Sequence, residues 1–143
     1  MKLATVGYEA ATLPDVIQNL KNAGVEIVID VRAVAASRRA GFSKTLLGNS
    51  LNEAGIEYVH LRQLGTPKPG RDAARAGRIS EMTRIFEDHL EEPEAQMQLA
   101  QATEIAGRRK AALLCYEADP AGCHRSIVAR RICDAIGCEI ENL

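Results

Sequence analysis

The sequence predicts an α/β protein: one mostly parallel sheet with helices on both faces. Three observations carry that prediction. Short apolar runs alternate along the chain with stretches of helical periodicity, the pattern of repeated strand–helix–strand units. The run Val25 to Val31 is β-branched and almost continuous, which suits a strand covered on both faces. Most chemically reactive side chains fall just after the apolar runs, and open α/β sheets bind ligands beyond the carboxyl ends of their strands.

Taken in order, Leu3 to Gly7 reads as the first strand. Thr12 opens a helix, because Thr12-x-x-Asp15 resembles a capping box and Pro14 is tolerated in a first turn. Leu13, Val16, Ile17 and Leu20 make its apolar stripe, and Gly24 ends it. Val25 to Val31 is the second strand. A second helix starts near Ser43, carries Leu47, Leu51 and Ala54 on one side and stops at Gly55. Gly48 inside it costs about 1 kcal/mol against Ala. Ile56 to Leu61 is a third strand, and Gly65 to Gly77, rich in Gly, Pro and Arg, reads as a loop. A third helix runs from about Ser80, with Met82, Ile85, Phe86, His89 and Leu90 at helical spacing. Pro93 opens a fourth, striped by Ala95, Leu99, Ala102 and Ala106. Ala111 to Tyr116 is a buried strand, which Asp119-Pro120 and Gly122 break into a turn. From Cys123 a last helix places Val128, Ile132 and Ile136 on one face. Cys138 to Asn142 alternates like a final half-exposed strand.

A chain of 143 residues predicts one domain, residues 1–143, able to bury roughly 70% of its unfolded surface. Aromatics make up only 3% and Trp is absent, so the core is expected to be aliphatic. A formal net charge of −1 gives no global pull toward nucleic acid or a membrane. No apolar run approaches the ~18 residues a spanning helix needs, and the opening Met1 to Gly7 is too short for a signal peptide. The expectation is therefore a cytoplasmic protein, no membrane partner, and four reduced cysteines. Oligomeric state is unreadable from the sequence.

The functional prediction centres on Ala111 to Arg131. A strand, a loop and a helix in that order leave the helix's first N–H groups free, and they and the dipole favour an anion there. Cys123, His124, Arg125 and Ser126 add a thiol, an imidazole, a guanidinium and a hydroxyl. Other strand ends contribute Tyr8 and Glu9, then Asp30, Arg32, Ser37, Arg38 and Arg39, then His60 and Arg62, then Cys115 and Glu117. The opposite edge, marked by Gly24, Gly55 and Gly107, carries little chemistry. Arg32, Arg38, Arg39 and Arg125 suit bidentate binding of phosphate or carboxylate. The bland alternative is a structural ion-pair network, with Asp30 pairing an Arg.

Cys123 at a helix N-terminus beside His and Arg is expected to have a lowered pKa and to be the nucleophile; otherwise it is a small core residue. Cys115 is core or a second thiol facing the crevice, while Cys133 and Cys138 read as inert packing. Glu117 and Glu9 are candidate bases, or partners of arginines and loop amides. Tyr8 could stack on a ring or hold a phosphate through its hydroxyl. His60 stands behind the site, and His89 is a packing residue. Cys115 and Cys123-His124 match zinc spacing poorly. A metal held by these three, or completed by His60, is the weakest reading, and no cofactor is expected. The cysteine-dependent phosphatase signature fails on spacing, since nine residues separate Cys115 from Arg125 and one separates Cys123 from it; the likeness is architectural only. Arg62, Lys68, Arg71, Arg75 and Arg78 against Asp72 give the loop from Arg62 to Arg78 a local charge of +4. With Arg38, Arg39 and Lys44 it forms a basic rim that would attract a polyanion. Aromatic interleaving is absent, which argues against a single-strand stacking platform.

Four ordered motifs resemble one family across nearly the whole chain: Thr5-Val-Gly-Tyr-Glu; Ile29-Asp-Val-Arg with Ser37-Arg-Arg-x-Gly-Phe-Ser-Lys; Gly55-Ile-x-Tyr-x-His-Leu with Leu64-Gly65; and Leu114-Cys-Tyr-Glu-x-Asp-Pro-x-x-Cys-His-Arg. The chain resembles the domain-of-unknown-function 488 family. It departs at Leu64-Gly65-Thr66, where members usually continue with a second glycine. The resemblance implies a shared fold and site but no reaction. The leading expectation is an enzyme acting through a thiolate on a phosphorylated or nucleotide-like substrate, with Cys123 as nucleophile and Glu117 as base. The alternative is a non-catalytic module that binds a nucleotide or nucleic acid with the same arginines.

Overall fold

The computed structural model describes residues 1–143. Five strands, β1 (Lys2–Gly7), β2 (Ile27–Asp30), β3 (Glu57–His60), β4 (Ala111–Cys115) and β5 (Glu139–Asn142), form one sheet in the order β3-β2-β4-β1-β5. Every neighbouring pair is parallel. Six helices connect them: α1 (Leu13–Asn22), α2 (Lys44–Glu53), α3 (Lys68–Arg75), α4 (Ile79–Leu90), α5 (Pro93–Arg108) and α6 (Arg125–Ile136).

Strand period 2 sorts β4 between two cores. Ala111, Leu113 and Cys115 join the layer under α3–α6, whereas Ala112 and Leu114 join the layer under α1 and α2. All five β4 residues are buried, which is why this stretch reads as a continuous apolar run rather than an alternation. Helix α1 begins as its residues dictate, with the Thr12 side chain accepting a hydrogen bond from the Asp15 N–H at 3.4 Å. Gly48 earns its place in α2 by proximity: a Cβ there would meet the Tyr58 ring of β3 at 3.3 Å.

The connections position the site. Helices α1 and α2, which follow β1 and β2, pack on one face; α6, which follows β4, packs on the other. The chain therefore leaves β4 toward the opposite face from both neighbours, β1 and β2, and a crevice opens above the ends of these three strands. No helix is long and apolar enough to cross a membrane.

Two expectations are corrected. The segment from Gly65 to Gly77 is not a loop throughout: a short 3₁₀ turn at Arg62–Leu64 leads into α3. Pro67 and Pro69 sit at the start of α3, where a missing N–H is harmless. Gly70 is needed because a Cβ there would fall 2.2 Å from Thr66 Cγ2. These residues disguised a helix as a turn-rich stretch. Nor are all four cysteines reduced. Cys133 and Cys138 form a disulfide. Gly137 ends α6 with φ of 73°, the left-handed conformation that glycine adopts freely. That turn folds Cys138 back to a Cα–Cα distance of 4.5 Å from Cys133.

Candidate functional site

The crevice holds about 1000 Å³. Its floor is built from the end of β4 and the start of α6, where Cys115, Glu117 and His124 line it. Both cysteines are buried, but Cys115 is the one that lines the crevice. The Cys115 sulfur, the Cys123 sulfur and His124 Nδ1 all lie within 4.8 Å of one another.

His124 is buried and its tautomer follows from its partners. Nε2 stands 2.8 Å from the Val31 carbonyl, and only an N–H can satisfy that acceptor. When the ring is neutral, Nδ1 is therefore the lone-pair nitrogen. It faces both sulfurs, 3.8 Å from Cys115 and 3.8 Å from Cys123. Phe86 packs edge-on to the ring, with centroids 5.1 Å apart, and fixes its plane.

The electrostatics are those of one proton shared by a crowded group. Burial alone would raise the Cys123 thiol. A hydrogen bond from Cys115, the His124 imidazolium and the Arg125 charge outweigh it, and Cys123 is held well below the ordinary thiol range. Cys115 is pushed the other way, first by its hydrogen bond to Cys123 and then by burial. Burial disfavours the His124 cation, but the Cys123 thiolate and the Val31 carbonyl raise it above its usual value. Burial, followed by the Cys123 charge, raises Glu117, whose carboxylate lies 3.2 Å from the Cys115 sulfur. The two thiols titrate as a pair: one proton leaves early and the other late.

What the N-terminus of α6 meets is a sulfur of the protein itself. The Arg125 N–H points at the Cys123 sulfur at 3.5 Å. The next amides are spent on the Cys123 and His124 carbonyls, so no row of free donors faces the crevice.

Two arginines are likewise committed. Arg125 is 1% exposed, and its guanidinium donates to the Glu117 and Ala118 carbonyls. It clamps the loop after β4 instead of holding a ligand. Gly7 permits this, since a Cβ there would lie 1.8 Å from the Glu117 oxygen. Arg32 makes paired hydrogen bonds to Asp30 at 2.9 and 2.7 Å and donates to the Tyr8 hydroxyl and the Phe42 carbonyl. Those bonds occupy four of its five N–H groups. Burial works against the Arg32 cation, yet Asp30 and Tyr8 more than offset it and raise its pKa. Asp30 also accepts from the Tyr58 hydroxyl at 2.6 Å, and the same contact, with burial first, raises Tyr58.

The remaining expected residues sort by place. Arg38 and Arg39 line one wall of the crevice, and Arg71 and Arg75 of α3 line the other. Arg38 is exposed with no ion-pair partner. Arg39 gives one N–H to the Ala11 carbonyl while its buried Nε has no partner. Glu9 lines the rim but accepts from the Ala118 amide at 3.1 Å, so it holds the loop. Ser126 donates to the Pro120 carbonyl and does the same. His60 is outside the crevice, its Nε2–H on the Arg32 carbonyl at 2.7 Å. Tyr8 is buried, stacked on Phe42 with ring centroids 4.2 Å apart, so its face is not free for a ligand.

Sequence reasoning passed over Tyr116. It lines the crevice, 44% exposed, between Cys115 and Glu117. The signal was available: it is the first residue past a buried strand that closes on a reactive sulfur.

A parallel α/β domain with a thiol–imidazole pair beneath an arginine-walled crevice is the class that fold and site define. Residues 12–132 match the family described as "Domain of unknown function DUF488", and the chain belongs to that family. Three of the four motifs fall within the matched residues; Thr5 to Glu9 precedes them. No curated protein and no solved structure matches the chain.

Proposed function

We propose that this protein transfers or hydrolyses a group on a phosphorylated or nucleotide-like substrate, using the Cys115–Cys123 pair as its nucleophile. One observation carries the reading: a single imidazole nitrogen, His124 Nδ1, faces both sulfurs at 3.8 Å while its other nitrogen is fixed on the Val31 carbonyl. That arrangement lets the imidazole take a thiol proton and leave a thiolate.

The four arginines on the two walls supply cations that a phosphate or carboxylate would meet on entry. The Cys115 sulfur, which lines the crevice, attacks the electrophilic centre of the bound group as its proton passes to the Cys123 thiolate, and the bond to the leaving oxygen breaks as the sulfur bond forms. Glu117, whose carboxyl is pushed up by burial, serves as the proton donor to that oxygen. As a carboxylate it then accepts a proton from the water that attacks the enzyme-bound intermediate and frees the thiolate. Acid first and base second is a fuller role for Glu117 than base alone.

The test is turnover and binding measured together on nucleoside phosphates, sugar phosphates and pyrophosphate. Cys123→Ser and Cys115→Ser each lose turnover and keep anion binding within a few-fold. Unchanged turnover in both variants sinks the nucleophile, and binding without turnover in the parent protein leaves the module reading. A metal centre is the second reading, favoured by two sulfurs and a nitrogen within 4.8 Å, donors that suit zinc. Metal analysis of the purified protein decides it: a stoichiometric ion displaces the thiolate mechanism.

A further inference from the structure

We propose that Tyr116 forms a nucleobase subsite, so that the substrate class of the crevice is a nucleotide rather than any phosphorylated compound. The inference rests on the anion reading of the crevice and goes one step beyond it.

Three observations carry it. Tyr116 is the only aromatic side chain among the large exposed apolar residues, 44% exposed, and it lines the crevice. An exposed aromatic ring in a pocket wall is a surface on which another π-system can stack. The ring is also held in place. Its neighbour Tyr8 meets it edge-on, with centroids 5.4 Å apart and planes at 80°, and Tyr8 is itself stacked on Phe42 at 4.2 Å. The Tyr8 hydroxyl is fixed by Arg32 at 2.9 Å, and the Tyr116 carbonyl accepts from the Glu9 amide at 2.8 Å. A ring anchored on one side and open on the other loses little freedom when a base settles on it.

Its neighbours supply the rest of a nucleotide's needs. Arg38, Arg39, Arg71 and Arg75 surround the same crevice and suit phosphate oxygens. Cys115 and Glu117, one residue to either side of Tyr116, line the floor. The ring, the arginines and the Cys115 sulfur thus line one crevice. Of the three carboxyl groups that line the crevice, Glu9 and Asp119 each give one oxygen to a backbone amide, of Ala118 and of Ala121, and Glu117 lies 3.2 Å from the Cys115 sulfur.

Calorimetric titration with ADP and with pyrophosphate tests this on the intact protein. The expected result is that ADP binds at least about tenfold more tightly than pyrophosphate, the margin one stacked base contributes. Tyr116→Ala erases that margin and leaves pyrophosphate affinity as it was, and Tyr116→Phe restores it. Equal affinities for ADP and pyrophosphate in the parent protein overturn the subsite and leave the anion reading standing. Equal weakening of both ligands by Tyr116→Ala also overturns it, since the ring would then be a structural support. Binding of neither ligand brings down the subsite and the anion reading together.

Discussion

A cysteine pair lies at each end of helix α6, and the two pairs have opposite chemistry. At its N-terminal end Cys115 and Cys123 are free thiols beside His124 and Arg125. At its C-terminal end Cys133 and Cys138 are joined across the Gly137 turn. The first pair is buried under a crevice and its sulfurs are served by an amide N–H and an imidazole. The second lies where the helix presents carbonyls, which offer a thiolate nothing. What differs is surroundings, not residue type: donors and cations hold one pair as a proton-sharing thiolate, while a glycine turn brings the other together as a brace.

Breaking the surroundings of the reduced pair should have the largest effect. Arg125→Ala removes a buried guanidinium and strands the Glu117 and Ala118 carbonyls. We expect a loss of about 3–5 kcal/mol in urea unfolding, and Arg125→Lys should recover only part of it, because a point charge cannot span both acceptors. Breaking the brace costs less. Cys133→Ala with Cys138→Ala opens a loop of sequence separation 5, worth about 2 kcal/mol by loop entropy, and should leave the alkylation profile of Cys123 unchanged. A shift in that profile would mean that the two pairs are coupled through the helix.

Smaller effects sharpen the contrast. His124→Gln keeps a side-chain amide near the Val31 carbonyl but removes the cation. The alkylation midpoint of Cys123 should rise, because the cation that favours its thiolate is gone. For stability the sign follows from the lowered folded value of Cys123. The thiolate's contribution is present above the unfolded thiol pKa and is lost as pH falls through the folded one. Glu117 runs the other way, because its folded value is raised. Its contribution is present at acid pH and lost as pH rises through that value. Glu117→Gln should therefore stabilise the protein at neutral pH by under about 1 kcal/mol, and by nothing in acid, in parallel denaturant titrations.

How much of this was legible in the residues depends on whether the signal was local. The alternation of strands and helices was, and so was the clustering of reactive groups at strand ends, because apolar period and helix capping are local. Thr12 did cap α1. The roles of the arginines were not legible. Sequence can place Arg32 and Arg125 at strand and helix ends, but which acceptors consume their N–H groups depends on Asp30, Tyr8, Phe42 and two loop carbonyls brought in by folding. The Cys133–Cys138 bond was hidden in a helix C-cap, where only the left-handed turn at Gly137 reveals that the two residues meet. Tyr116 was hidden because exposure at a strand end follows from the crevice, not from the strand.

The most direct test is the pH dependence of alkylation of Cys123 and Cys115 in the otherwise unaltered protein, read peptide by peptide by mass spectrometry; the Cys133–Cys138 disulfide stays silent. The account predicts that Cys123 titrates well below the ~8.5 of an ordinary thiol, and Cys115 above it. Two thiols that titrate together near the ordinary value would contradict it, because the His124 imidazole and the first turn of α6 would then stabilise no thiolate at all.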